Sequence, residues 1–332
     1  MTTRLTLREL LLVALNLAAL GILASACGGT TSPPAPSDGG NPGGTPSGYG
    51  VPQEGFPGWR ERALLVLTNA VRLSPIAYRD RYAADFSPSL SAAMALSTYP
   101  AVGTLRWNLA LNQSARSHST DMGVNGCFQH DSCDGTPWNK RITSYYKLSG
   151  TIGENIAAGY PAPADPRYAM SMWLCDQSGS SCCADRAGCD GHRANMMAGG
   201  YRALGTGYAT VSSNYQNYWT QDFGGAADAP AVPLVDGSHI FFPGGMITFL
   251  ANFVDTGAPR SVKLVLSGSE LEMGLDLGSA ASGTYAASIT AGDACRPYHF
   301  VALDGAGVSW RYPASGELQT HGEGSCASDW TP

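Results

Sequence analysis

The stretch TIGENIAAGY, residues 151–160, sets one carboxylate between a glycine and an apolar run. Glu154 follows Gly153 and precedes Asn155, and Ile156, Ala157 and Ala158 come directly after. A carboxylate in such a place is partly desolvated, so it is either held by polar neighbours or put to use. Gly153 lets the backbone turn closely. Asn155 can fix the local chain by hydrogen bonding, and the apolar tail anchors the segment to a core. The expectation is a loop that holds Glu154 and presents it to a polar cleft. A purely structural role, with the carboxylate accepting backbone N–H bonds, stands beside it.

Three other polar stretches flank this one. CFQHDSCDGT, residues 127–136, carries His130, Asp131 and Asp134; MSMWLCDQ, residues 170–177, carries Trp173 and Asp176; GCDGHRANMM, residues 188–197, carries His192, Arg193 and Asn195. Two imidazoles can bind a divalent zinc and leave positions for water or a carboxylate. A nearby Glu can orient that water or act as a base, which makes Glu154 and His192 the catalytic candidates. Two His with an oxygen ligand suit zinc better than calcium or magnesium. Catalytic zinc usually takes three protein ligands, so no obligate cofactor is expected, and zinc or another divalent cation is an accessory one. Asp131 and Asp134 are expected to shape the turn beside Cys133. Arg193 and Asn195 are expected to pin their loop, and Trp173, Trp219 and Phe223 to lie in the core. His118 and Ser119 read as helix residues near the cleft. No G-x-S-x-G and no H-E-x-x-H occurs, and no spacing rule makes Ser119 or Ser132 a nucleophile.

The rest of the chain points to export. Arg4 and Arg8 precede an apolar run from Leu10 to Ala26, and LASAC ends on Cys27. That is a secretory signal, and its end resembles a bacterial lipobox with Ala24 where Leu is usual, which predicts lipidation of Cys27 and a membrane partner through that anchor. An ordinary signal peptide is the alternative. Of the nine cysteines, Cys27 is set aside for lipid and eight remain. Eight in an exported chain read as up to four disulfides. Cys295 and Cys326 lie far from the others and pair with each other, and Cys127 with Cys133 closes a short loop. Pairing among Cys175, Cys182, Cys183 and Cys189 stays open, with a zinc knuckle as the other reading of that cluster. The composition, 44% hydrophobic and 14% charged over 332 residues with a net charge of −6 and no basic cluster, fits a globular protein that does not bind nucleic acid.

Organisation follows from texture. Residues 1–27 are the signal and residues 28–55 a Pro/Gly/Ser-rich tether. Residues 56–227 interleave helices and strands. WRERALLVLTNAVRLSPIAY places Ala63, Leu64, Leu67, Ala70 and Val71 on one helical face, SARSHSTDMGV, RYAMSMWL and GHRANMMAG read as further helices, and RALGTGYAT and YWTQDFGG as strands. Residues 229–332 show short β-prone runs punctuated by turn residues, the pattern of an antiparallel sandwich. The fold class is therefore α+β.

The ordered series LRWNLALNQSARSHSTDM, FQHDSCDGT, GENIAAG, MSMWLCD, GHRANMM, LGTGYA and YWTQDFGG, over roughly residues 60–225, resembles the CAP superfamily of cysteine-rich secretory proteins, antigen 5 and plant pathogenesis-related proteins, in its bacterial branch. The resemblance implies a three-layer α-β-α sandwich (the CAP or SCP fold) with an open cleft; the β-prone texture of residues 229–332 adds the expectation of an immunoglobulin- or fibronectin-like sandwich after it. It implies that His130, Glu154 and His192 face one another in that cleft, with Asp176 where the family more often has Glu. Three functions are compatible. One is an envelope-anchored binding module whose cleft takes a metal, lipid, sterol or small ligand. Another is a His/Glu-dependent hydrolase of peptide or cell-wall material. The last is an adhesion protein acting through the C-terminal sandwich.

Overall fold

The computed structural model describes residues 45–46, 48–83, 98–159, 165–178, 181–212 and 215–332. The expected signal, its Cys27 and residues 28–44 and 47 of the tether lie outside the described residues. The described residues all belong to one compact unit. No helix among the described residues is long and apolar enough to cross a membrane.

The first half is built on helix α1, Trp59–Leu73. Its partners are helix α2, Leu109–Asn125, helix α3, Trp138–Tyr145, helix α4, Pro166–Cys175, and the short helix α5, Gly191–Met196. Between them lies a sheet of β1, Arg106–Trp107, β2, Ile152–Gly159, β5, Ala203–Thr210, and β6, Asn217–Gly224, in the order β1-β5-β6-β2. A small hairpin, β3, Gln177–Ser178, and β4, Ser181–Cys182, follows α4. Only the β1–β5 pair is parallel; β5–β6 and β6–β2 are antiparallel.

Period-2 alternation in β5 explains the three layers. Gly205 and Gly207 face α2, where a Cβ would run into the backbone at Leu111–Asn112 and at Ala115–Arg116. Thr206, between them, turns the other way and donates to the Glu61 carbonyl of α1 at 2.8 Å. The ends of α2 are specified locally: Asn108 accepts from Leu111 N at 2.9 Å, and Gly126, at φ +71°, ends the helix in the left-handed region.

The second half consists of two antiparallel sheets. One has the order β11, Gly274–Ser279; β12, Ser282–Thr290; β8, Met246–Val254; β7, Leu234–Phe242. The other runs β10, Ser269–Glu272; β9, Ser261–Leu266; β13, Pro297–Leu303; β15, Glu317–Gln319; β16, Trp330–Thr331, with β14, Ser309–Tyr312, on β13. Phe249, Ala251 and Phe253 share a core with Leu264, Tyr298 and Phe300, so the sheets pack face to face. The opposite face of the β7–β8 sheet is buried as well. Ile240, Leu250 and Leu277 join the core of α1, Trp173 and Trp219.

Several expectations need correcting. GENIAAG is a strand and not a loop, since β2 pairs along its whole length with β6. Gly153 is not needed for a turn; a Cβ there would strike the Tyr201 hydroxyl. The single apolar face read for α1 is too narrow, because every residue of the helix except Arg60 is buried. The tether also ends earlier than its composition implies. Tyr49 bonds to the Val235 carbonyl, stacks edge-on to Tyr312 at 6.1 Å, and accepts from Ala314 N at 2.7 Å. Four disulfides form: Cys127–Cys133, Cys175–Cys182, Cys183–Cys189 and Cys295–Cys326. The two expected pairs are as read, the open cluster is settled, and with all four of its thiols oxidised it is not a zinc knuckle.

Candidate functional site

His130 sits on the loop closed by Cys127–Cys133, just after α2. Its Nδ1 lies 2.8 Å from Glu154 Oε1. The ring is reachable and the acid is not, with side chains 49% and 1% exposed. Arg141 of α3 bonds to the other oxygen of Glu154, and it donates to the His130 carbonyl at 2.9 Å and to Ser132 Oγ at 3.2 Å. One guanidinium thus fixes both the acid and the loop that brings the imidazole. Both oxygens of Glu154 are taken, which makes it a holder of His130 in this geometry.

Behind Glu154 stands a second carboxylate. Asp222 of β6 is its register partner across the sheet and is wholly buried, with Ser114 and Glu154 as polar neighbours. Burial first, and then the charge of Glu154, push Asp222 well above the ordinary carboxylate range. Burial raises Glu154 too, against the pull of Arg141. Two buried carboxyls beside one guanidinium cannot both ionise cheaply, so they retain one proton between them. Glu154 has the cation and keeps the charge; Asp222 keeps the proton.

His118 completes this side. It is fully buried, its Nε2 lies 3.0 Å from the Gln129 carbonyl, and Nε2–H donates there. Burial pushes its pKa down to about 3, so it is neutral and braces the His130 loop. His130 itself is lowered by burial and by Arg141. Asp131 and Asp134 shape the turn as expected, accepting from Trp138 N at 2.9 Å and Thr136 N at 2.8 Å.

The second imidazole is built differently. Asp176 ends α4 at φ +45°, a left-handed conformation that Asp tolerates better than most residues. One of its oxygens bonds to His192 Nδ1 and the other accepts from Arg193 N at 3.0 Å. The buried Arg193 guanidinium then ties the Leu174 and Cys183 carbonyls together. The expected group of four is therefore two imidazole–carboxylate pairs, His130–Glu154 and His192–Asp176. They are joined through β2: Asn155 Nδ2 donates to the His192 carbonyl at 3.1 Å, and Asn195 Nδ2 donates to the Glu154 carbonyl at 3.2 Å and to Asn155 Oδ1 at 3.0 Å.

Sequence reasoning missed Arg141, Asp222 and the bridging role of Asn155. Asp222 was findable, because alternation in YWTQDFGG puts it on the same face as Tyr218 and Thr220, whereas nothing in WNKRITSY marks Arg141. Among the described residues one group of three metal-type side chains clusters, Asp121 with Cys127 and Cys133, and those thiols are spent in the disulfide. What the pairs offer an ion is two Nε2 atoms, each on a ring whose Nδ1 faces a buried carboxylate. Imidazole nitrogens are a donor type that divalent zinc accepts, and two of them are one short of the three protein ligands usual at a catalytic site. Ser119 Oγ is buried against Thr220 at 2.9 Å and Ser132 Oγ accepts from Arg141, so neither is bonded to His130 or His192. A separate concavity of about 220 Å³, walled by Trp59, Arg60, Tyr208, His321 and Asp329, contains neither imidazole pair.

The model of the cysteine-rich secretory protein family (CAP) matches residues 67–223. Among solved structures, the chain is similar to an extracellular SCP-domain protein of Bacillus anthracis, at 24% identity over 49% of this chain and 39% of that one, TM-score 0.32. It is also similar to an outer surface protein of Borrelia burgdorferi, at 16% identity over 42% of this chain and 91% of that one, TM-score 0.30. A third is venom allergen-like protein 4 of Schistosoma mansoni, at 18% identity over 49% and 86%, TM-score 0.29. The chain spans well under half the length of the first of these. A search of curated protein sequences found no match.

Proposed function

We propose that this chain, whose residues 67–223 match the model of the cysteine-rich secretory protein (CAP) family, is an exported binding protein whose cleft takes a divalent metal, zinc first, on the Nε2 atoms of His130 and His192. The observation that carries this is the orientation of the rings. Each presents Nδ1 to a buried carboxylate, Glu154 or Asp176. A carboxylate at Nδ1 fixes the tautomer and leaves Nε2 as the bare donor toward an ion. His130, held below the ordinary imidazole range, is already deprotonated at neutral pH, as a metal ligand must be. A bound ion would supply a Lewis-acidic centre; the residues orient the rings and keep the carboxylates dry. Four disulfides support export. Anchoring through an acylated Cys27 is part of the same proposal, with the apolar run before it as its support. No observation favours the hydrolase reading over this one.

The test is zinc titration by calorimetry at pH 7 beside the His130→Ala, His192→Ala double variant. Micromolar binding, about −8 kcal/mol, that vanishes in the folded variant supports the site. Equal heats from both proteins remove the metal and leave the pairs as architecture.

A further inference from the structure

Three of the four disulfides bracket the imidazole pairs. Cys127–Cys133 encloses His130, Cys175–Cys182 begins at the residue before Asp176, and Cys183–Cys189 ends three residues before His192. Each joins residues six or seven apart, so each fastens a local loop and none crosses the fold. The first has both cysteines partly exposed beneath an exposed run, Phe128 to Asp131, whereas Cys182 and Cys183 are buried and only Cys189 of the other two bridges is exposed.

The other ties of the His130 loop hold its backbone and its neighbours. Cys133 N donates to Asp121 Oδ2 at 2.8 Å and Ser132 N to the Thr136 carbonyl at 2.9 Å, Asp131 Oδ1 accepts from Trp138 N, Arg141 holds the His130 carbonyl and Ser132 Oγ, and His118 holds the Gln129 carbonyl. The His130 side chain has Glu154 alone. Glu154 does not need His130 in return, because Arg141 stays on its other oxygen. The imidazole can therefore leave without stranding a buried charge, which would cost several kcal/mol if it did. The core beneath, Met122, Ile156 and Tyr218, is held by packing.

We propose that Cys127–Cys133 is a reducible latch on His130: a dithiol reductant opens it, the imidazole leaves Glu154, and the cleft is switched off with the fold intact. A thiolate of the dithiol attacks one cysteine sulfur, the protein S–S bond breaks, and the other cysteine leaves as thiolate. The second thiol of the reductant then displaces the first cysteine. Two electrons pass to the protein, the protons of the reductant end on Cys127 and Cys133, and the dithiol becomes a cyclic disulfide. The loss of binding rests on the proposed function; the release of His130 does not.

The experiment is a graded dithiothreitol series, followed by iodoacetamide labelling with peptide mass analysis, far-ultraviolet circular dichroism, and the ring proton resonances of His130, assigned by His130→Ala. Cys127 and Cys133 should label at unchanged dichroism, and the His130 resonances should move in step with that pair and not with Cys189 or with Cys295 and Cys326. The His130 resonances should then take the chemical shifts of a solvent-exposed imidazole free of Glu154, and reoxidation should reverse the change. A Cys127→Ser, Cys133→Ser protein should show the same resonances without reductant. Unmoved His130 resonances on a labelled pair, opening only together with loss of dichroism, or failure of the serine variant to fold would each overturn the latch. If the resonances move but zinc never bound the oxidised protein, the metal reading alone falls.

Discussion

Glu154 and Asp222 are chemically alike, wholly buried and opposite each other, yet substituting them should have unequal effects. Glu154 carries the charge that Arg141 and His130 need. Glu154→Gln leaves a buried guanidinium without its anion, and breaking a buried pair from one side costs about 3 kcal/mol or more. Asp222 already holds a proton, so Asp222→Asn replaces one neutral group by another of the same shape and should cost within about 1 kcal/mol. Urea denaturation of both variants at pH 7 checks this. Equal losses would mean that the charge is shared differently between the two carboxyls. His130, Glu154, Asp176 and His192 were named together only through the family resemblance, which rests on short local motifs; the structure brings them together as two pairs. Arg141 was not legible in the sequence, because its importance depends on α3 lying over β2, a contact no local pattern states.

Helix α1 shows the same limit for a whole element. Its apolar spacing was readable, but the sequence does not say that a sheet covers its second face. There the polar residues Asn69 and Thr68 sit inside, and each has a partner. Asn69 donates to the Leu105 carbonyl at 2.8 Å and to Asp236 Oδ2 at 2.6 Å, while Asn252 donates to Asp236 Oδ1 at 2.7 Å and to the Val66 carbonyl at 3.0 Å. Strand β7 was missed for this reason: VDGSHIFF mixes Asp236, Ser238 and His239 into an apolar run, and only their buried partners make it a strand. Asp236 is fully buried and, among the described residues, no cation pairs with it, so burial raises it to about 7, with the two amides pulling back. A folded-state pKa above the unfolded value of 3.8 means that this carboxyl favours the fold most below pH 3.8. That advantage is lost as the pH rises to about 7, at up to about 1.4 kcal/mol per pH unit. Asp236→Asn abolishes this slope and adds a pH-independent cost, since its amide meets two donors. Denaturation at pH 4.5, 6 and 8 should show the wild-type advantage over the variant shrinking with pH. A constant difference would place an ionised Asp236 in both states.

For the whole molecule, the same joint decides whether the two halves are separable. The C-terminal strands cover α1, and the last residues reach back to its start, where Asp329 Oδ2 accepts from Trp59 N at 2.7 Å. Trp59 in turn stacks on His239 at 5.1 Å and donates to its carbonyl at 2.8 Å. Ile240, Leu250 and Leu277 complete the core that α1 shares with the first half. Three such side chains contribute about 6 kcal/mol at about 2 kcal/mol each, comparable with the 5–15 kcal/mol that typically holds a domain together. A chain ending at residue 228 should therefore fail as a folded monomer. It should elute as aggregate on size exclusion, and its β2 and β6 amides should exchange rapidly with deuterium. A monomer that keeps those amides protected would show that the first half folds alone and that the sandwich is an appended module. The expected outcome also constrains the adhesion reading. Deleting residues 229–332 would unfold the cleft together with the sandwich, so the two surfaces are separable only by point substitutions on the exposed strands.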